Sequence, residues 1–164
     1  MLTKNIITSL EKLISLHEEL FDKSKIKTEI IKKGDVEALK SITNDERNDL
    51  KLIHAAQKDL MSDAKNFLQY HSISIDQPTL RDCLQHVKEQ DQQTLTTLQL
   101  QLVEKVSLFK KQNDLNQQLL EQSLAFVQMS IDLLTPDIDT YNYERPDRNQ
   151  PYEPHGRSLF DSNA

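Results

Sequence analysis

From Leu95 to Leu134 one series of positions recurs three or four residues apart without a gap: Leu95, Leu98, Leu102, Val106, Phe109, Asn113, Asn116, Leu120, Leu124, Val127, Ile131 and Leu134. That spacing keeps side chains on one face of an α-helix. Thr135-Pro136-Asp137 ends it, since proline has no amide hydrogen to donate and its ring clashes with the preceding turn. At ~1.5 Å per residue such a helix is roughly 60 Å long. A compact globule of 164 residues cannot wrap it, so the helix has to be the spine of an elongated bundle.

A second set on the same segment, Leu108, Leu115, Leu119, Phe126 and Leu133, lies about 120° round the helix from the first. Before Leu108 the corresponding or neighbouring directions hold Thr94, Thr97, Gln101 and Lys105. The apolar arc therefore widens toward the C-terminal end. Each large apolar side chain kept from water is worth ~1.5–3 kcal/mol, so a stripe of five calls for a cover, either another part of this chain or a partner. A central helix with two neighbours also needs two apolar faces, and the internal reading stands beside the docking one.

The remaining chain agrees with an all-α fold. Only two Gly and no Trp occur among 164 residues, 28% of which are charged, a composition unsuited to turn-rich sandwiches, barrels and dinucleotide folds. A formal net charge of -6 argues against a nucleic-acid or anionic-membrane surface, either of which needs a basic stripe. Cys83 is the single cysteine, so neither an intrachain disulfide nor a cysteine-based metal site can form. No stretch approaches the ~18 apolar residues of a membrane span, and charges interrupt Met1 to Leu20 where a signal peptide would be apolar. The expected location is the cytoplasm.

Helical spacing covers Thr3 to Lys33 through Ile6, Leu10, Leu13, His17, Leu20 and Phe21, resuming at Ile26, Ile30 and Ile31. Gly34 is suited to a left-handed C-cap and Asp35 to the N-cap of a second helix, from about Val36 to Tyr70. That helix repeats Leu39, Ile42, Leu50, Ile53, Leu60, Ala64, Phe67 and Leu68, with the charged run Asp45 to Asp49 read as solvated. So short a link predicts an antiparallel pair. Residues 71–79 read as a loop, Asp76 or Thr79 as the next cap, Thr79 with Asp82 resembling a capping box, and Leu80, Cys83, Leu84 and Val87 as a short amphipathic piece. The polar run Lys88 to Gln93 either begins the long helix or breaks before it. The expected organisation is an elongated antiparallel bundle or coiled coil of three long helices over 1–135, followed by a disordered tail over 136–164. That tail is rich in Pro, Tyr and charge and poor in core-forming residues.

No catalytic constellation is legible, and neither an enzyme nor a cofactor is expected. There is no Gly-rich loop, and His17, His54, His71, His86 and His155 lack ligand spacing. Glu18-Glu19, Asp45-Glu46, and Asp82 with Glu89 read as solvated helix faces, and His17 and His54 as core or boundary residues. Asn113 and Asn116 occupy consecutive positions of the main seam. Buried asparagines there fix helix register at some cost in stability, or they hydrogen-bond the backbone of another element, or of a partner, where the bundle ends and the binding half begins.

Two phrases and the tail carry a resemblance. Lys27-Thr28-Glu29-Ile30-Ile31-Lys32-Lys33-Gly34-Asp35-Val36-Glu37-Ala38-Leu39 and Leu115-Asn116-Gln117-Gln118-Leu119-Leu120-Glu121-Gln122-Ser123-Leu124-Ala125-Phe126 resemble segments of the flagellar export chaperone family FlgN. Tyr141 and the closing Ser158 to Ala164 look like the tails of Gram-positive members. The resemblance implies an ATP-independent, cytoplasmic type III export chaperone. Such a protein binds the hook-filament junction proteins FlgK and FlgL through its C-terminal region and presents them to the flagellar export apparatus. Carried onto this chain, the client-binding half is Leu115 to Leu134, with Leu119, Phe126, Ile131 and Leu133 as leading anchors and Leu115, Leu120, Val127 and Leu134 beside them. Tyr141 and Tyr143 become candidates for tail contacts. The reading from another class is a structural coiled-coil protein that self-associates through the same stripe.

Overall fold

The computed structural model describes residues 2–135. Four helices follow one another: α1 (Leu2–Lys33), α2 (Val36–Tyr70), α3 (Leu80–Leu84) and α4 (Glu89–Leu134). There is no strand among the described residues. The chain divides into two units, Met1–Ala125 and Phe126–Ala164. The first is a helical bundle. Of the second, the described part is the last turns of α4 and Thr135.

Local signals place the helix ends. Gly34 has φ 68°, a left-handed conformation that costs a residue without Cβ little. Its N–H donates to Ile31 O at 3.0 Å, and the N–H of Asp35 to Ile30 O at 3.3 Å, closing α1 with a pair of bonds that satisfies two orphan carbonyls. The Asp35 carboxylate accepts from the Ala38 N–H at 3.0 Å and opens α2. Thr79 and Asp82 exchange side-chain and backbone bonds in a complete capping box. The polar run before Leu95 belongs to α4 from Glu89 onward, where Glu89 and Asp91 suit the positive end of its dipole.

Cross-helix bonds fix the directions in the first unit. Ser9 pairs with Asp63, Lys23 with Asp49 and Lys27 with Glu46, so α1 and α2 are antiparallel. Glu18 pairs with Lys105 and Thr28 with Asn116, so α1 and α4 run parallel. Two apolar clusters hold these helices. One joins Ile6 and Leu10 to Phe67, Leu68, Cys83 and Leu95. The other joins Leu13 and Leu20 to Ile53 and Ala56, with Leu102 and Phe109 against it.

Toward the α1–α2 turn the interior becomes polar, and five sequence expectations are corrected along it. Ser24 and Thr28 are buried while Ile26 is exposed, and Asp49 and Glu46 are buried while Leu50 is exposed. On α4, Val106 and Asn113 are exposed while Lys105 and Gln112 are partly withdrawn beside the buried Asn116. The run Asp45 to Asp49 is thus not solvated throughout. The cause is a strict alternation of three and four residues along α4: Leu95, Leu98, Leu102, Lys105, Phe109, Gln112, Asn116. A helix drifts relative to that repeat unless it supercoils with its neighbours, and the repeat selects these polar residues over the apolar ones next to them.

The buried acids have their cations. Lys27 Nζ lies 2.6 Å from Glu46 Oε2, with both side chains 12% exposed. Lys23 Nζ lies 2.6 Å from Asp49 Oδ2, a bond that raises the Lys23 ammonium above its ordinary pKa. Removing one member of such a pair strands the other charge, whereas replacing both with apolar groups does not. Glu46→Ala is therefore expected to cost about 3 kcal/mol in urea unfolding, and Lys27→Met with Glu46→Leu about zero or a net gain.

Cys83 is fully buried, and burial pushes its thiol up to about 11 from 9.0. Because the unfolded thiol ionises first, the neutral folded form contributes stability that is complete below pH 9 and lost as pH rises toward about 11. Unfolding at pH 8 and pH 10.5 is expected to show a larger loss for the wild type than for Cys83→Ala.

Candidate functional site

α4 withdraws its inner face from water only as far as the hairpin beside it extends. Thr28 is bonded to Asn116, 88 residues on, so Lys33 at the end of α1 stands level with about residue 121 at the helical rise the two share. The burial pattern follows that limit. Asn116 is 1% exposed, Leu119 and Leu120 are half-buried, and Glu121 to Ala125 are all exposed.

Asn116 is held from several directions. Its Nδ2 donates to the Ser24 carbonyl at 2.8 Å, its Oδ1 accepts from the Thr28 hydroxyl at 2.6 Å, and Gln112 Nε2 donates to that same hydroxyl at 2.6 Å. Among the described residues no buried side-chain nitrogen or oxygen lacks a partner. Asn113, expected beside it in the seam, points to water instead, and Gln112 takes its place. Nearby, Lys105 Nζ lies 2.8 Å from Glu18 Oε1, which raises its pKa.

The residues named from the sequence as client-binding differ in exposure. Within the first unit, Leu115 is exposed, whereas Leu119 and Leu120 are partly covered. Leu124, outside the expected set, is 69% exposed. In the second unit Phe126 is 66%, Leu133 78% and Leu134 82% exposed, while Val127, Met129 and Ile131 each show slightly more than half of their surface. Met129 was also missed by sequence reasoning, although it lies on the Phe126 and Leu133 side. Tyr141 and Tyr143, like the expected disordered tail, lie outside the described residues.

This stretch offers little for chemistry. Its polar side chains bond within their own helix: Gln117 to Glu121, Gln128 to Asp132, Ser123 to Leu119 O and Ser130 to Phe126 O. Among the described residues no three His, Cys, Asp or Glu side chains gather closely enough to hold a metal ion. No described helix is long and apolar enough to cross a membrane. What α4 presents here is apolar surface on a formed helix, suited to taking up another apolar surface.

The family model described as FlgN protein matches residues 1–151. The chain belongs to the FlgN family. It is also similar to the uncharacterized protein YvyG of Bacillus subtilis (strain 168), with 29% identity over 164 residues covering all of both chains. No solved structure matches. Membership in the FlgN family carries a general role as a flagellar export chaperone, a role in which exposed apolar surface on a protein-binding helix is an asset.

The Asn116 bonds give a direct test of what orders α4 in this FlgN protein. Asn116→Ala removes a buried amide that bonds both the Ser24 carbonyl and the Thr28 hydroxyl, and is expected to lower stability by about 1–3 kcal/mol. Asn113→Ala, on the exposed side, is expected to change it by less than about 0.5 kcal/mol. Paired urea denaturation curves check the difference.

Proposed function

We propose that this chain is an ATP-independent chaperone of the cytoplasm that holds hook-filament junction proteins of the FlgK and FlgL kind and delivers them to the flagellar export gate. The holding surface is the C-terminal half of α4, with Leu115, Leu119, Phe126, Ile131 and Leu133 as anchors and Leu120, Val127 and Leu134 beside them. The observation that carries this reading is the exposure of so many large apolar side chains on one formed helix.

The mechanism needs binding alone. The client lays apolar helical surface on α4 and removes that face from other partners while the complex lasts. Each well-covered side chain contributes ~1.5–3 kcal/mol, against an association cost of several kcal/mol in lost freedom. The net affinity is therefore moderate and compatible with release at the gate. Tyr141 and Tyr143 are the proposed tail contacts during delivery. Self-association is a second reading, favoured by the four-three-four-three spacing of Leu120, Leu124, Val127, Ile131 and Leu134, which is that of a coiled-coil seam.

Two single substitutions test the proposal. Phe126→Asp and Leu133→Asp are each expected to weaken capture of purified FlgK about tenfold or more, with circular dichroism unchanged. Loss of helicity would mean the stripe is internal core, and undiminished capture would place the client elsewhere. Light scattering separates the second reading: a chaperone forms a stoichiometric complex with FlgK, whereas a scaffold is already a concentration-dependent oligomer without it.

A further inference from the structure

We infer that the client is held by two of its helices, arranged as a hairpin astride α4, rather than by one amphipathic helix. This rests on the chaperone reading above and specifies the partner of the same surface. The observation behind it is the angular distribution of the exposed residues, read first on 126–134 alone. At about 100° per residue, Val127, Ile131 and Leu134 form one flank, and Phe126, Met129 and Leu133 a second, with centres roughly 130° apart. Ser130 lies between them on one side. On the other lie Gln128 and Asp132, bonded to each other at 2.9 Å. All six apolar residues are more than half exposed.

One helical neighbour covers an arc of about 100°, and these two flanks with the line between them span roughly 200°. A single client helix would cover one flank and leave the other in water. The first unit supplies the comparison. There the partly or fully buried residues of α4 between Leu95 and Leu120 span roughly 180°, and two helices, α1 and α2, are needed to withdraw them. The first unit, taken by itself, shows the exposed Leu115 and Leu124 on different sides of α4 with Ser123 between them.

The chemistry of the hairpin follows. Ser123 and Ser130 lie between the flanks and spend their hydroxyls on Leu119 O and Phe126 O at 2.8 and 2.9 Å. They ask for no polar partner, and their small size leaves room along that line for apolar side chains from both client helices. From Gln112 to Thr135 the chain carries Asp114, Glu121 and Asp132 and no Lys or Arg. The fitting hairpin therefore has two apolar faces bordered by basic rather than acidic residues, since like charges at the rim oppose docking.

The test uses the full chain and purified full-length FlgK. Val127→Asp with Ile131→Asp damages one flank, and Phe126→Asp with Leu133→Asp the other. Each pair is expected to weaken binding in calorimetry about tenfold or more with helicity retained. In a Cys83→Ala background, photo-crosslinkers on Ile131→Cys and Leu133→Cys are expected to label two different helical segments of FlgK. Labelling of one common segment, or sensitivity of binding to one flank only, overturns the hairpin while leaving the chaperone reading intact. So does labelling of a second copy, or of residues 136–164 of this chain, from one flank. Absence of FlgK binding by the unmodified protein overturns both.

Discussion

The hydrogen bonds that Asn116 makes to α1 set the position of the long helix, and the remaining features of the first unit are arranged around them. A three-four repeat of apolar residues would tolerate a slip of seven, since leucines would again meet leucines. The amide does not tolerate it: only in one register do Nδ2 meet the Ser24 carbonyl and Oδ1 the Thr28 hydroxyl. A slip would leave these groups buried without partners, at a cost of about 1–3 kcal/mol for each. Specificity of alignment is the best-attested use of a buried polar residue in a helical seam, and here Gln112 and the ion pairs of Lys23 and Lys27 reinforce it.

That alignment divides the surface of α4 by function. Up to Phe109 its inner face is apolar but for Lys105, which pairs with Glu18, and it supplies the hydrophobic attraction that holds the bundle. Around Gln112 and Asn116 the interior contributes register instead. Past the level at which the hairpin turns, the first unit leaves Glu121 to Ala125 exposed. The polar layer keeps the long helix aligned through Asn116 and Gln112, without drawing on its exposed apolar side chains.

The legible parts of the fold were those written in local chemistry. Gly34, Asp35 and the Thr79–Asp82 pair each carry their own capping signal, and the helix limits lie where those residues put them. The seam was harder to read, because apolarity was the guide and the polar layer defies it. Ile26, Leu50 and Val106 each look more suited to an interior than Ser24, Asp49 or Lys105. Only the opposite helix, far along the chain, supplies the cation for Asp49 or the carboxylate for Lys105. The same reason separates Asn113 from Asn116: both are plausible seam residues in isolation, and the positions of Ser24 and Thr28 decide between them. The excess of apolar residues on the last turns of α4 was visible from spacing alone. Which of them are bare was not, because Leu119 and Leu120 owe their partial cover to the place where the hairpin ends.

The two-residue turn at Gly34 and Asp35 consequently acts as a ruler. Helix propensity and the leucine repeat say nothing about how far the cover should reach, yet the location of one left-handed glycine halts α1 and reverses the chain at a defined height. Lengthening or shortening the first two helices by whole heptads would keep the same interior and the same long helix while altering how much of it is covered. In such a scaffold the extent of bare helix changes through insertions and deletions at the reversal, with no substitution in the long helix itself.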